Sequence, residues 1–328
     1  MNIQDIFSQF ASKRIAIIGD VMMDAYVIGS VTRISPEAPV PIVSLSKKEN
    51  RLGGAANVAL NIVSLGAEAI ICSVVGDDTE GEELVQIFEK ENVNSSGVVR
   101  SKHRKTTVKT RIIGNNQQLL RVDSEQINPI SVAEENQLIE KIEQLIQSGI
   151  DALIFEDYNK GVLTERVISE VLVRCKAANI PTTVDPKKDN FFAYKGVTLF
   201  KPNLKELKEG LNVQFDITNK EAFEAAVTQL ESKLYNENTF ITLSEHGVFI
   251  KSATEKIYIP AHIRTIADVS GAGDTVISVA TLCLAIGLPI EKVAAYANLA
   301  GGLVCEKSGV VSIEKEQLIE EIRLIENA

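Results

Sequence analysis

The sequence predicts an α/β protein: a doubly wound, mainly parallel sheet with a small β-sheet lid. Three observations lead there. Short, continuously apolar runs end in small or acidic residues, amphipathic helical segments alternate with them, and two stretches rich in Val, Ile and Thr lack any helical period. Strands buried on both faces read as unbroken apolar runs, and their alternation with helices marks the doubly wound architecture.

Taken in order, Ile3, Ile6, Phe7 and Phe10 interleave with Asp5 as a short amphipathic helix, and Lys13 and Arg14 follow; this is no signal peptide. Arg14–Gly19 is the first buried strand, and Asp20 stands at its carboxyl end, where open sheets collect ligands. Residues 57–65 predict a helix closed by Gly66, residues 69–75 a strand and 81–91 a helix. A strand at 152–155, a helix at 164–178, strands at 181–184 and 197–200, a helix at 218–232 and strands at 239–243 and 248–251 continue the rhythm. Residues 24–51 and 106–123 break it and are read as the separate sheet that covers the crevice. Such a sheet leaves a face or edge open, so a homodimer through the lid is expected.

A chain of 328 residues buries a full core, and the expected organisation is one domain over 1–328. Its net charge of −10 argues against a broad nucleic-acid surface, which needs a basic face to displace counterions. No apolar run reaches the ~20 residues that cross a bilayer, so no membrane partner and a cytoplasmic location are expected. Cys72, Cys175, Cys283 and Cys305 lie far apart in apolar runs and read as buried thiols. His103, His246 and His262 have no zinc-binding spacing.

The chemistry concentrates in Asp268-Val-Ser-Gly271-Ala272-Gly273-Asp274, which precedes an uncharged segment, 275–288. Glycines let a backbone approach a ligand closely, and first-turn amides of a helix present a positive end to an anion. By itself Asp274 reads either as a helix cap or as a base that takes a proton from an attacking hydroxyl. This motif resembles the signature of the PfkB, or ribokinase-like, carbohydrate kinases. Gly19-Asp20 with Asp24, followed by Gly53-Gly54-Ala55-Ala56-Asn57, matches further elements of that family in the same order.

The resemblance implies ATP and Mg²⁺ as cofactors, Asp274 as catalytic base, and the amides of Gly271, Ala272 and Gly273 as the anion hole. It also implies that Glu206, in Asn203-Leu-Lys-Glu206, helps hold magnesium; the same residues suit a capping box, and both roles are compatible. Thr242, Ser244, Glu245 and Gly247 fall where the family lines its nucleotide site, with Ser244 replacing a glycine. Asn298 falls in the wall of the adenine pocket.

Residues 33–43, 156–163 and 184–196 resemble one branch more closely: the kinase half of the bacterial enzymes that make ADP-heptose for lipopolysaccharide. That branch implies D-glycero-D-manno-heptose 7-phosphate as acceptor and a 1,7-bisphosphate product. Many of its members fuse the kinase to a nucleotidyltransferase with an HxGH-type motif; as this sequence shows no such motif, no nucleotidyltransferase domain within 1–328 and a separate nucleotidyltransferase and phosphatase in the pathway are expected. For the sugar hydroxyls the candidates are Asp20, Asp24, Gly53, Gly54, Asn57, Asp123 and Asp157. For its phosphate they are Arg121, Lys160 and Lys187, chosen from a wider set with Arg104, Lys105, Lys109, Arg111 and Lys188. Two alternatives stay open: a kinase for another sugar or sugar phosphate, and a catalytically silent nucleotide and sugar sensor. A Rossmann dehydrogenase is disfavoured because no GxGxxG follows the first strand.

Overall fold

The computed structural model describes residues 2–262 and 264–326. Helix α1 (Ile3–Phe10), capped by the Asn2 side chain, leads into β1 (Arg14–Gly19). A long hairpin of β2 (Val21–Ile34) and β3 (Pro41–Gly54) runs straight into α2 (Ala55–Ser64). Then come β4 (Glu68–Gly76), α3 (Thr79–Lys90) and β5 (Asn94–Ser101), followed by a second hairpin, β6 (Val108–Gly114) and β7 (Gln117–Ser124). The chain continues through α4 (Val132–Gln147), β8 (Ala152–Glu156), α5 (Glu165–Ala177), β9 (Thr182–Asp185), β10 (Leu199–Phe200), α6 (Leu204–Leu211) and α7 (Lys220–Leu234). It ends with β11 (Asn238–Thr242), β12 (Val248–Lys251), β13 (Lys256–Ile259), α8 (Ala272–Ala285), α9 (Ile290–Val304) and α10 (Lys315–Glu326).

Nine strands form the main sheet in the order β13-β12-β11-β10-β9-β8-β1-β4-β5, all running the same way except β12. Along β1 the side chains alternate between its two faces. Ile15 and Ile17 enter a core shared with α1, α2, α8, α9 and α10, while Ala16 and Ile18 enter one shared with α4, α5, α6 and α7. Helices on both faces are thus a direct consequence of the apolar run. The strand order turns at β1, with β4 on one side and β8 on the other, which opens a crevice at their carboxyl ends. Among the described residues, no helix is long and apolar enough to cross a membrane.

The two irregular stretches form a four-stranded sheet of their own, β3-β2-β6-β7, as the sequence predicts. Several elements escape the sequence reading, among them β5, α4, β13 and α10. Edge strand β5 opens with Asn94, Ser95, Ser96 and Gly97, too polar and small to show a strand period. Helix α4 has a Ser131–Glu134 capping box and buries Leu138, Ile139 and Ile142, but charged residues cover its outer face.

Candidate active site

Four carboxylates gather where β1, β8 and β9 end: Asp20, Glu156, Asp157 and Asp185. Helix α8 meets them end-on. Gly271 has φ +82°, and a Cβ there would sit 3.0 Å from Asn57 Nδ2. The Ala272 amide turns back to the Val269 carbonyl at 3.3 Å, whereas the amides of Gly273 and Asp274 have no carbonyl one helical turn behind them. Of the three residues predicted to form an anion hole, Ala272 therefore already spends its donor within the loop.

Asp274 is buried beneath this turn. Its Oδ2 accepts from Asn57 Nδ2 at 2.6 Å and its Oδ1 from the Tyr158 hydroxyl at 3.1 Å. Burial pushes its carboxyl up to about 6, while the Asn57 hydrogen bond restrains the rise and Asp185 adds to it. A base poised just below neutral is ionised at pH 7 and still holds a proton well enough to accept one.

Glu156, Asp185 and Asp274 bring carboxylate oxygens within 4.8 Å of one another. Lys201, itself buried, stands 2.8 Å from Asp185 Oδ2. Lys187 lies 3.6 Å from Asp185 Oδ1 and 2.6 Å from Glu206 Oε1. Burial opposes the charge on Asp185, but Lys187 and Lys201 outweigh it and hold this carboxyl below the usual range. Glu156 is pushed well above it, first by burial and then by Asp185 and Asp274. Glu156 Oε2 is buried with no hydrogen-bond partner among the described residues. Glu156, Asp185, Asp274 and Glu206 thus outnumber two ammonium groups, and one buried oxygen lacks a donor. That set fits a hard divalent cation, which takes few protein carboxylates and keeps several waters.

Asp20 and Asp157 shape the neighbouring loop. Asp20 accepts the amides of Tyr158, Lys160 and Val162, each at 3.0 Å. Asp157 accepts from the Tyr194 hydroxyl at 2.7 Å, Asn190 Nδ2 at 3.1 Å and the Asn159 amide at 2.8 Å. These bonds fix the turn that delivers Tyr158 to Asp274.

On the flank predicted to take nucleotide, Asn203 and Glu206 complete a capping box on α6, with bonds of 2.8 and 2.9 Å. Asn203 bridges to Thr242, so the turn after β11 is tied to Glu206. Ser244 holds φ +54°, the conformation a glycine would adopt at less cost, and Gly247 closes the turn at φ +84°. Glu245 is exposed, and Asn298 Nδ2 donates to the Pro260 carbonyl at 2.9 Å.

The lid presents a charged face. Arg51, Asp24, Lys109 and Asp123 stand opposite one another across its strands, and Glu49, Tyr26, Arg111 and Arg121 form the next row on the same side. Asp24 pairs with Arg111, and Arg121 grips Asp123 with two bonds, 2.8 and 3.0 Å. Gly53 lies so close to Asp24 that a Cβ would meet Oδ2 at 2.5 Å. Gly54, at φ +62°, carries the chain from β3 into α2. A cavity of about 390 Å³ runs from Asp24, Tyr26 and Arg51 to Asn57 and Ser312. Lys160 and Lys187 face the protein's own Glu125 and Glu206 at 2.8 and 2.6 Å.

A model of pfkB family carbohydrate kinases matches residues 12–317. The chain belongs to the pfkB carbohydrate kinase family. Among curated proteins, it is 36% identical over 323 residues to the "Bifunctional protein HldE" of Trichlorobacter lovleyi, covering 98% of this chain and 65% of that protein. The same name is carried by a relative from Nitratiruptor sp., 40% identical over 315 residues, covering 96% and 66%. This chain therefore spans about two thirds of the length of such relatives. Among solved structures, phosphofructokinase-2 from Escherichia coli in complex with potassium superimposes with TM-score 0.78 at 18% identity, covering 97% of this chain and 100% of that one. Arabidopsis thaliana ribokinase complexed with ribose and ATP gives 0.71 at 16% identity, covering 94% and 99%. The fold is ribokinase-like, and this pfkB kinase is a carbohydrate kinase.

Tyr158, Glu156, Asp185 and Lys201 were not singled out from sequence as site residues. A signal for two of them exists: Glu156 and Asp185 end strands that are otherwise apolar or Thr-rich and fully buried. A charge in such a place needs a partner or a function.

Proposed function

We propose that this pfkB kinase transfers the γ-phosphoryl group of ATP to the anomeric hydroxyl of D-glycero-D-manno-heptose 7-phosphate, giving the 1,7-bisphosphate, on the route to ADP-heptose and lipopolysaccharide core. The observation that carries the chemistry is Asp274, buried at the first turn of α8 and fixed by Asn57 and Tyr158. The sugar is supported by residues 33–43, 156–163 and 184–196 and by relatives named HldE at 36–40% identity. In this reading adenylyl transfer and removal of the 7-phosphate fall to a nucleotidyltransferase and a phosphatase.

Asp274 takes the proton of the attacking hydroxyl as the new O–P bond forms, and the bond to the β-phosphate oxygen breaks with its electron pair leaving on ADP. The amides of Gly273 and Asp274 face the transferring group, with Gly271 permitting the approach. Asn57 and Tyr158 orient the base. Asp24 and Asn57 line the sugar's side of the crevice, with the Gly53-Gly54 backbone packed beside Asp24 as a further donor to the sugar, while Asp20 and Asp157 order the 157–162 loop. Asn203, Thr242, Ser244, Glu245, Gly247 and Asn298 form the nucleotide flank. Glu206 and Glu156 would hold Mg²⁺, which supplies positive charge at the phosphates when bound.

The lid's other face carries Val27, Ile112, Leu120 and Val122, the last two exposed at 55% and 48%. A second copy covering it makes the homodimer part of this reading.

The test offers purified protein ATP, Mg²⁺ and a panel of sugars with and without a terminal phosphate. Heptose 7-phosphate is expected to give the highest kcat/KM, with product phosphorylated at C1. Preference for fructose 6-phosphate or ribose overturns the substrate, and no turnover on any sugar favours a silent sensor.

A further inference from the structure

Glu125, the residue after β7, draws two lysines onto one carboxylate. Its Oε1 accepts from Lys160 Nζ at 2.8 Å, and its Oε2 lies 3.6 Å from Lys109 Nζ. That second oxygen is buried and has no hydrogen-bond partner among the described residues. The lysine side chains are only 19% and 16% exposed, and Lys109 Nζ also lies 3.5 Å from Asp123, which Arg121 already grips, so three cations share the two carboxylates of Glu125 and Asp123. Such an arrangement is costly as a surface ion pair and leaves charge unbalanced.

Glu125 also borders a cleft of about 510 Å³ whose other walls are Lys102, His103, Arg104, Lys105 and Gln126. Among the described residues, neither Lys102 nor Lys105 makes an ion pair. Arg104 spends its guanidinium on the carbonyls of Asn128, Gln126 and Lys160. The 102–105 segment is thereby tied to the loop that brings Tyr158 to Asp274. A basic cleft and the base thus share one short loop.

We propose that this cleft receives the distal phosphate of the acceptor sugar, and that Glu125 occupies the dianion's place on Lys109 and Lys160 until the sugar arrives. The inference rests on the sugar-phosphate reading above. A phosphate brings two charges and three acceptor oxygens where Glu125 brings one charge and two, so it outcompetes the carboxylate for a pair of ammonium groups. A sugar without the phosphate has nothing with which to displace Glu125. Selectivity for phosphorylated acceptors therefore resides in the exchange of one internal anion for another.

Wild-type, Lys109→Met, Lys160→Met and Glu125→Gln enzymes are compared on heptose with and without its 7-phosphate and on fructose with and without its 6-phosphate, with inorganic phosphate as competing probe. Each lysine variant is expected to raise KM for the phosphorylated sugars roughly tenfold or more, and to leave the plain sugars unchanged. Glu125→Gln is expected to act in the opposite direction, lowering that KM and tightening inhibition by inorganic phosphate. This opposite sign keeps the test decisive where a lysine variant fails to fold. Equal losses on both kinds of sugar, or weaker phosphate inhibition in Glu125→Gln, overturn the cleft. If fructose 6-phosphate is the better acceptor and the variants still lose selectively on phosphorylated sugars, the heptose is wrong and the cleft stands. If heptose 7-phosphate is best and the variants lose equally on both, the heptose stands and the cleft is wrong.

Discussion

Asn57 and Asp274 lie 217 residues apart and meet through a 2.6 Å bond from Nδ2 to Oδ2. Asn57 sits in the first turn of α2, immediately after the Gly53-Gly54 step by which lid strand β3 returns to the main sheet. The lid's attachment point and the base are therefore mechanically joined: a shift of the α2 terminus moves the donor that orients Asp274.

Replacing the base tests its two consequences at once. Asp274→Asn is expected to cut turnover by about 10²–10⁴ while ATP affinity, read by titration calorimetry, stays nearly constant. The same variant should unfold at higher denaturant at pH 7, on the order of 1–3 kcal/mol more stable, because a carboxyl held at about 6 is costly to keep ionised in the fold. Loss of activity together with loss of stability would point to a merely structural Asp274.

The acid limb of kcat/KM is expected near pH 6, where Asp274 takes up its proton. Asn57→Ala removes a hydrogen bond that favours the ionised form, and Tyr158→Phe removes the other, so each should move the limb to higher pH. A pH–rate series on the three proteins reads this directly. A limb that moves down, or stays, separates these residues from the base.

Ser244 occupies left-handed backbone at φ +54° in the single turn between β11 and β12. Ser244→Gly is expected to gain up to about 1 kcal/mol in urea unfolding, and Ser244→Val to lose more than that, since branching at Cβ worsens the clash. ATP affinity in the glycine variant indicates whether the serine hydroxyl contributes to the nucleotide flank.

How much of this was legible beforehand depended on the kind of signal. Arg14–Gly19 announced itself as a buried strand because both its faces are apolar, and Gly271 marked a close backbone approach, where φ is +82° and a Cβ would crowd Asn57 at 3.0 Å. The two sheets follow from the same logic. Strand β5 and helix α4 did not, because an edge strand and a half-exposed helix keep too many polar residues for their period to dominate. The Asp185–Lys201 pair was also out of reach: Asp185 ends β9 and Lys201 follows β10, and only the parallel pairing of those strands brings them to one level. Pairings between strand ends of this type are set by strand order, which no local pattern records.

That pair yields the sharpest stability test. Asp185 is stabilised as an anion by Lys201 and Lys187, so in the wild type its contribution is present above the ordinary carboxylate range and fades as pH falls. Lys201→Met leaves Asp185 and Glu156 buried with less compensation, and is expected to cost about 3–5 kcal/mol at pH 7. In that variant the carboxyls bind protons more tightly in the fold than in the unfolded chain, which reverses the sign: the loss should be larger at pH 8 than at pH 5. Adding Asp185→Asn removes the stranded charge and is expected to recover more than half of the loss, so the two substitutions together cost less than their sum. Urea unfolding of the four proteins at both pH values measures the coupling. Simple additivity with no pH dependence would mean that Lys201 acts through the packing of its stem and not through the charge it brings to the floor of the site.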